Sequence, residues 1–228
     1  MTVDKHPYSI LAIEDNPGDY VLVTEFLEER ISSCTVYHAP DFKTATGLLT
    51  SKAQSLEVIL LDLTLPDKSG TELVMEILAM AGNLPVIVLT GNADIDFSIR
   101  SIGFGVSDYL VKDDLTSDVL YKSIIYSIER KKIYKQLKES EERFSTLFHQ
   151  SPQPMYVYDP ATTKMVQVNK AATLFFGYSE EEMKGMSVMD LVFTDDVTMA
   201  RHMAEEVLED TSNSHAELLR FQKKTGEI

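Results

Sequence analysis

The first half of the sequence predicts an α/β fold built on a five-stranded, doubly wound parallel sheet, and three observations carry that prediction. Short apolar runs recur at Ile10–Ile13, Val58–Leu61, Pro85–Leu89 and Tyr109–Val111, with a weaker one at Cys34–Tyr37. The runs are continuous rather than alternating, as strands covered on both faces require. Between them, apolar residues fall at helical spacing.

Taken in order, the first strand runs into EDNPGD and then a helix carrying Leu22, Phe26 and Leu27. The second precedes a helix with Phe42, Ala45 and Leu48–Leu49, and the third a helix with Leu73, Ile77 and Met80. The fourth is followed by Ile95, Ile99 and Ile102 at helical spacing. After the fifth, a pattern starts near Thr116 with Val119, Leu120, Ile124 and Ile128. Strands that alternate with helices imply right-handed crossovers and strand C-termini gathered on one edge.

That edge collects polar residues scattered along the chain. Glu14 and Asp15 follow the first strand, Asp62 ends the third, Thr90 the fourth and Lys112 the fifth. With strand order 2-1-3-4-5, the first and third strands flank the topological switch point, where ligands bind.

From Thr116 the helical pattern continues without Gly or Pro as far as Pro152. Tyr126, Arg130, Ile133, Leu137, Ser140, Phe144 and Leu147 step by four and three along it, a seam of about three heptads. Beyond Pro152, MYVYDPATTKMVQVN reads as a hairpin turning at Asp159–Thr163. Short helices follow in KAATLFFGYSEEEMKG, with Gly177 as C-cap and Ser179 as N-cap. Phe193–Asp210 reads as a longer amphipathic helix, and HAELLRFQKKTGEI as a strand running into a turn. Phe175, Phe176, Tyr178, Met183, Met186 and Met189 are the expected core of this half. The predicted organisation is a first domain over 1–130, a helical linker over 131–143 and an α+β domain over 144–228.

Composition excludes more than it assigns. At 44% hydrophobic and 25% charged residues the chain is globular. Its net charge of -15, with both halves acidic, argues against a general nucleic-acid surface, which needs clustered Lys and Arg. The one basic run, SIERKKIYKQLKESEER, carries both signs and reads as a solvated helix face. Cys34 is the sole cysteine, so neither an internal disulfide nor a cysteine zinc cage can form. No segment reads as a signal peptide or approaches the roughly 20 apolar residues of a membrane span, so a cytoplasmic setting is expected.

Singly, the edge residues are unremarkable. EDNPGD alone is an ordinary turn, and Asp62 alone an ordinary helix cap or turn residue. Their joint placement changes the chemistry. Three carboxylates in a partly buried crevice repel, and a hard divalent cation such as Mg²⁺ removes the conflict. An ammonium and a hydroxyl opposite the metal complete a site for a dianionic phosphoryl group, with an aspartate as nucleophile.

Residues 8–130 resemble the receiver domain of two-component response regulators. The resemblance rests on ILAIEDN, ILLDLTLPDKSG, VIVLTG and DYLVK, in order. It implies that Asp62 is the phosphoacceptor and that Glu14, Asp15, Asp62 and the backbone carbonyl of Thr64 hold Mg²⁺. Thr90 and Lys112 would contact the phosphoryl oxygens, and Tyr109 would move inward when Thr90 is drawn to them. Pro66 and Gly70 match the turn after the acceptor strand. Two positions depart from the family pattern. Asp113 follows Lys112 where Pro is usual, and Gly91 follows Thr90 where Ala is common. Haloacid-dehalogenase-like phosphatases also use an Asp after an apolar strand, but they need a second Asp two positions on, where Thr64 stands.

From about Glu142 the chain resembles a PAS sensor domain, through FSTLFHQSPQPMYVYD, VNKAATLFFGYSEEEMKG and ELLRFQKKTGEI. By that pattern the last two strands are absent. The reactive Cys of flavin-binding members is missing, and a lone His202 on the long helix is expected at the surface rather than on a haem. The resemblances imply a phosphoacceptor rather than an enzyme. It would be served by a histidine kinase or phosphotransfer protein, with a possible homodimer through the 116–149 helix and no nucleic-acid or membrane partner. The alternative is a PAS-centred sensing or dimerisation module whose receiver is not phosphorylated.

Overall fold

The computed structural model describes residues 3–91, 103–209 and 218–228. These form two compact units, divided between Leu137 and Lys138. In the first unit, β1 (Asp4–Ile13), β2 (Ile31–Ala39), β3 (Val58–Asp62), β4 (Val86–Thr90) and β5 (Asp108–Val111) make one sheet in the order β2-β1-β3-β4-β5. All of its pairings are parallel. Helices α1 (Pro17–Arg30), α2 (Phe42–Lys52) and α3 (Gly70–Ala81) lie between the strands. The pattern of Ile95, Ile99 and Ile102 lies outside the described residues.

Every residue of β3 and β4 is buried, as their unbroken apolarity requires. Alternate residues serve opposite cores. Leu11, Ile13, Ile59, Leu61, Val86 and Val88 face Ala45 and Leu49 of α2 and Leu73, Val74 and Ile77 of α3. Ile10, Val58, Leu60, Ile87 and Leu89 face Val23 and Leu27 of α1 and Leu120 and Ile124 of the next helix. The sheet is therefore doubly wound. Single positions shift from the expected helical stripes: Leu22, Met80 and Val119 are exposed, while Val23, Val74 and Ala81 are buried. β2, the edge strand, is longer than its apolar run because it opens at Ile31, where Asp4 of β1 pairs with it.

Helix α4 runs from Ser117 to Gln150. On its seam Tyr126, Ile133, Leu137, Phe144 and Leu147 are all exposed. No helix among the described residues is long and apolar enough to cross a membrane.

The second unit contains an antiparallel hairpin, β6 (Tyr156–Tyr158) with β7 (Met165–Val168). Its turn is held by Asp159, whose carboxylate accepts from the Ala161 amide at 2.9 Å and the Thr162 hydroxyl at 3.0 Å. Helix α5 (Lys170–Phe176) is capped by Asn169 and stops at Gly177, whose φ of 81° is the left-handed conformation glycine tolerates best. Helix α6 (Glu180–Gly185) starts from a reciprocal capping box between Ser179 and Glu182. The expected long helix begins as a short 3₁₀ turn, Thr194–Asp196, and continues as α7 (Val197–Glu209), with His202 exposed on it.

Met165, Val168, Ala172, Phe176, Met183 and Leu191 form this core, with Tyr178, Met186 and Phe221 packed on it. Phe175, expected inside, is half exposed because it lies on the outer side of α5. The expected final strand is also different. Its start at His215–Glu217 lies outside the described residues, and Phe221 makes one isolated bridge, to Val192. The segment instead hydrogen-bonds to the stretch before α7, from Phe193 N to Arg220 O at 2.8 Å and from Gln222 N to Leu191 O at 2.7 Å.

Candidate functional site

Parallel pairing brings the ends of β1, β3, β4 and β5 to one edge, and charged residues collect there. Lys112, just past β5, extends its ammonium to within 2.6 Å of Asp62 Oδ2 and 2.7 Å of Asp19 Oδ2. It also lies 2.7 Å from Glu14 Oε2. That last contact is close but poorly aligned, so Glu14 Oε2 is buried with no hydrogen-bond partner among the described residues. Glu14, Asp62 and Thr90 are buried.

The surrounding backbone fixes these groups. Glu14 donates its amide to Ala39 O at 3.0 Å and accepts the Asn16 amide on Oε1 at 3.1 Å. Its carbonyl accepts from His38 Nε2 at 2.8 Å, which places the proton on that nitrogen. Asp62 Oδ1 accepts from the Thr64 amide at 3.1 Å. After Asp62 the chain turns tightly, with Leu65 N bonded to Lys68 O at 3.0 Å across Pro66, and Gly70 N to Leu63 O at 2.8 Å. Gly70 has a φ of 64°, where a side chain would be strained.

Burial pushes the Glu14 carboxyl up to about 7; the nearby Asp62 charge adds to this, and Lys112 opposes it. Burial works against the charge on Lys112, yet its hydrogen bonds to Asp19 and Asp62 and the adjacent Glu14 carboxylate prevail and raise its pKa. The ammonium therefore stays charged in the crevice. Tyr109 on β5 is half-buried, packed against the core that α2 and α3 cover.

The structure thus gathers Glu14, Asp62 and Lys112 as the sequence predicts, with Thr90 at the end of the neighbouring strand. Two residues depart from expectation. Asp15 is exposed and lies outside the group of facing carboxylates. Asp19 takes a place in it: one oxygen from each of Glu14, Asp19 and Asp62 lies within 4.8 Å of the others, a set that could hold a metal ion. Oxygen ligands suit a hard divalent cation, and the unsatisfied Glu14 Oε2 is the kind of atom such an ion would satisfy.

Asp19 was missed because EDNPGD reads as a turn. Its signal was Asn16 followed by Pro17, an N-cap and first helical position that set Asp19 on the third residue of α1.

Comparison with known proteins agrees with this geometry. The family model of the response regulator receiver domain matches residues 10–124, and that of the PAS fold matches 142–228. A segment of 66 residues is 38% identical to the cell cycle response regulator CtrA of Brucella ovis, covering 29% of this chain and 28% of that protein. The chain therefore spans well under half the length of the curated relatives it matches. A receiver domain protein from Clostridium thermocellum superposes with a TM-score of 0.50 at 28% identity, over 56% of this chain and 98% of that one. NtrX from Brucella abortus superposes with a TM-score of 0.54 over 60% of this chain and 31% of its own, and at 21% identity this likeness speaks to the fold alone. With the receiver model matched across half of its length and the sheet order and acidic edge in place, this chain belongs to the response regulator receiver family of two-component signal transduction.

Proposed function

We propose that Asp62 accepts a phosphoryl group from a phosphohistidine on a histidine kinase or phosphotransfer protein, in a Mg²⁺-dependent reaction. The observation that carries this reading is the Lys112 ammonium held 2.6 Å from Asp62, beside the buried Glu14 carboxylate, whose Oε2 lies 2.7 Å from the same ammonium. A carboxylate oxygen of Asp62 attacks phosphorus in line, the P–N bond breaks, and the imidazole leaves with its electron pair and takes up a proton. Lys112 neutralises charge on the transferring oxygens, and the Thr90 hydroxyl hydrogen-bonds one of them in the product.

Glu14, Asp15, Asp62 and the Thr64 carbonyl are the groups that would hold Mg²⁺, which when bound screens the carboxylates from the incoming phosphoryl charge. Phosphorylation then favours the arrangement in which Thr90 is drawn to the phosphoryl group and Tyr109 turns inward. Asp62 is a phosphoacceptor rather than a turnover catalyst. On this reading the protein works in the cytoplasm beside the kinase that supplies the phosphoryl group, and the seam of α4 pairs with that of a second copy. Labelling with a phosphorylated histidine kinase or with acetyl phosphate tests the acceptor. Asp62→Asn abolishes incorporation, and retained label in that variant refutes the assignment.

A further inference from the structure

The third carboxylate around Lys112 comes from a helix rather than from a strand end. Asp19 lies in the first turn of α1, and the loop leading to it is fixed at both ends. On one side Asn16 Oδ1 accepts the amides of Gly18 at 2.8 Å and Asp19 at 3.4 Å. On the other, the Tyr20 ring stacks on His38 at 3.9 Å between centroids, while His38 Nε2 bonds the Glu14 carbonyl at 2.8 Å. His38 thus ties together Glu14 and Tyr20, the two ends of the loop. Asp19 Oδ2 is thereby aimed at Lys112 Nζ, 2.7 Å away, and its side chain remains about one third exposed.

Lys112 cannot serve Asp19 and a phosphoryl group equally well. On Asp62 the phosphoryl oxygens bring a second negative charge to the ammonium and to the neighbourhood of Asp19, where two like charges repel. We propose that Asp19 is a positioning residue for phosphoryl acceptance: it holds Lys112 in the resting pocket and gives it up when Asp62 is phosphorylated, so its charge biases the receiver toward the unphosphorylated state. This rests on the reading of Asp62 as acceptor. Because Asp19 belongs to α1, the exchange also carries the phosphorylation state to that helix, a route separate from Thr90 and Tyr109.

The test uses the full chain and two titrations, Mg²⁺ alone and beryllofluoride at saturating Mg²⁺, followed by calorimetry. Asp19→Asn is expected to tighten beryllofluoride binding about 3- to 10-fold, the scale of a partly exposed ion pair lost together with a like-charge repulsion. Mg²⁺ affinity alone is expected to change less than about threefold, since on this proposal Asp19 is paired with Lys112 while Glu14, Asp15, Asp62 and the Thr64 carbonyl hold the metal. Asp19→Ser should behave like Asn, and Asp19→Glu, which restores a carboxylate, should return beryllofluoride affinity toward that of the unaltered protein. Unchanged or weaker beryllofluoride binding in both neutral variants, beside a normal response of the unaltered protein, overturns the role of Asp19 and leaves the acceptor reading standing. A loss of Mg²⁺ affinity of about tenfold or more makes Asp19 a metal ligand and overturns it as well. If the unaltered protein binds no beryllofluoride, or Asp62→Asn still binds it, the acceptor reading fails and takes this role with it.

Discussion

Asn169 is fully buried, and all its side-chain hydrogen-bonding positions are filled. Oδ1 accepts from the amides of Met155 at 3.0 Å and Ala172 at 2.8 Å, and Nδ2 donates to the carbonyls of Phe148 at 3.0 Å and Gln153 at 2.9 Å. One amide thus caps α5 and fastens the end of α4 and the strand entry to it. Asn169→Ala strands the buried Phe148 carbonyl and Ala172 amide away from water and is expected to cost about 3 kcal/mol, read as a shift in the urea midpoint of the second unit. A cost below about 1 kcal/mol refutes the network as a stabilising device. In the other unit Glu14 acts in the opposite sense. Its carboxyl titrates near 7 in the folded protein against an ordinary 4.5, so the folded state holds the extra proton between these values. The contribution of Glu14 to stability is therefore greatest below that window and falls as pH rises through it, by at most about 1.4 kcal/mol per pH unit. Glu14→Gln should flatten that slope in metal-free urea titrations. At this scale the sequence showed which residue types meet but not how they are held. Asn169 has the residue type of an N-cap, but its burial and its reach to Phe148 depend on packing that no local pattern encodes.

Among the elements, helix α1 shows how a cap sets a functional position. Asn16→Ala removes the acceptor for the first amides of α1 and is expected to lower stability by about 1 kcal/mol, measured by denaturant unfolding. Helix α4 poses a different problem. Its exposed Ile133, Leu137, Phe144 and Leu147 follow the seam spacing, and two such faces packed together would remove them from water. Paired substitution Leu137→Glu and Leu147→Glu should convert dimer to monomer in sedimentation equilibrium; a monomer at high concentration before substitution rejects the pairing. Strands were the most legible elements, because burial on both faces writes an unbroken apolar run. Less legible was which face each residue takes: Leu22 and Val23 are adjacent and both apolar, yet Val23 is buried and Leu22 exposed. The final segment misled for a related reason. ELLRFQ has the composition of a strand, but a strand needs a partner edge, and among the described residues Phe221 makes a single isolated bridge, to Val192.

At the scale of the molecule, the placement of the acidic edge followed from the alternation of strand and helix, and the division at Leu137 falls inside the helical linker expected over 131–143, although α4 passes through it without a break. The net charge of -15 acts across the whole surface, so association with an anionic donor near the acidic edge is expected to quicken as salt is added. Beryllofluoride with Mg²⁺, present at about a hundred times its dissociation constant, should stabilise the folded receiver by about 2.7 kcal/mol. That corresponds to a rise on the order of 10 °C in its thermal transition, absent in Asp62→Asn. Calorimetric scans of the two proteins, with and without the additive, decide it.

Glu14, Asp62 and Lys112 come from three strand ends that lie far apart along the chain and adjoin only when β1, β3, β4 and β5 are in register. An unfolded or misregistered chain offers those groups one at a time. The stoichiometry of a tight phosphoryl mimic is therefore a head count: in any preparation it gives the fraction of molecules whose sheet has closed, a figure that total protein concentration conceals.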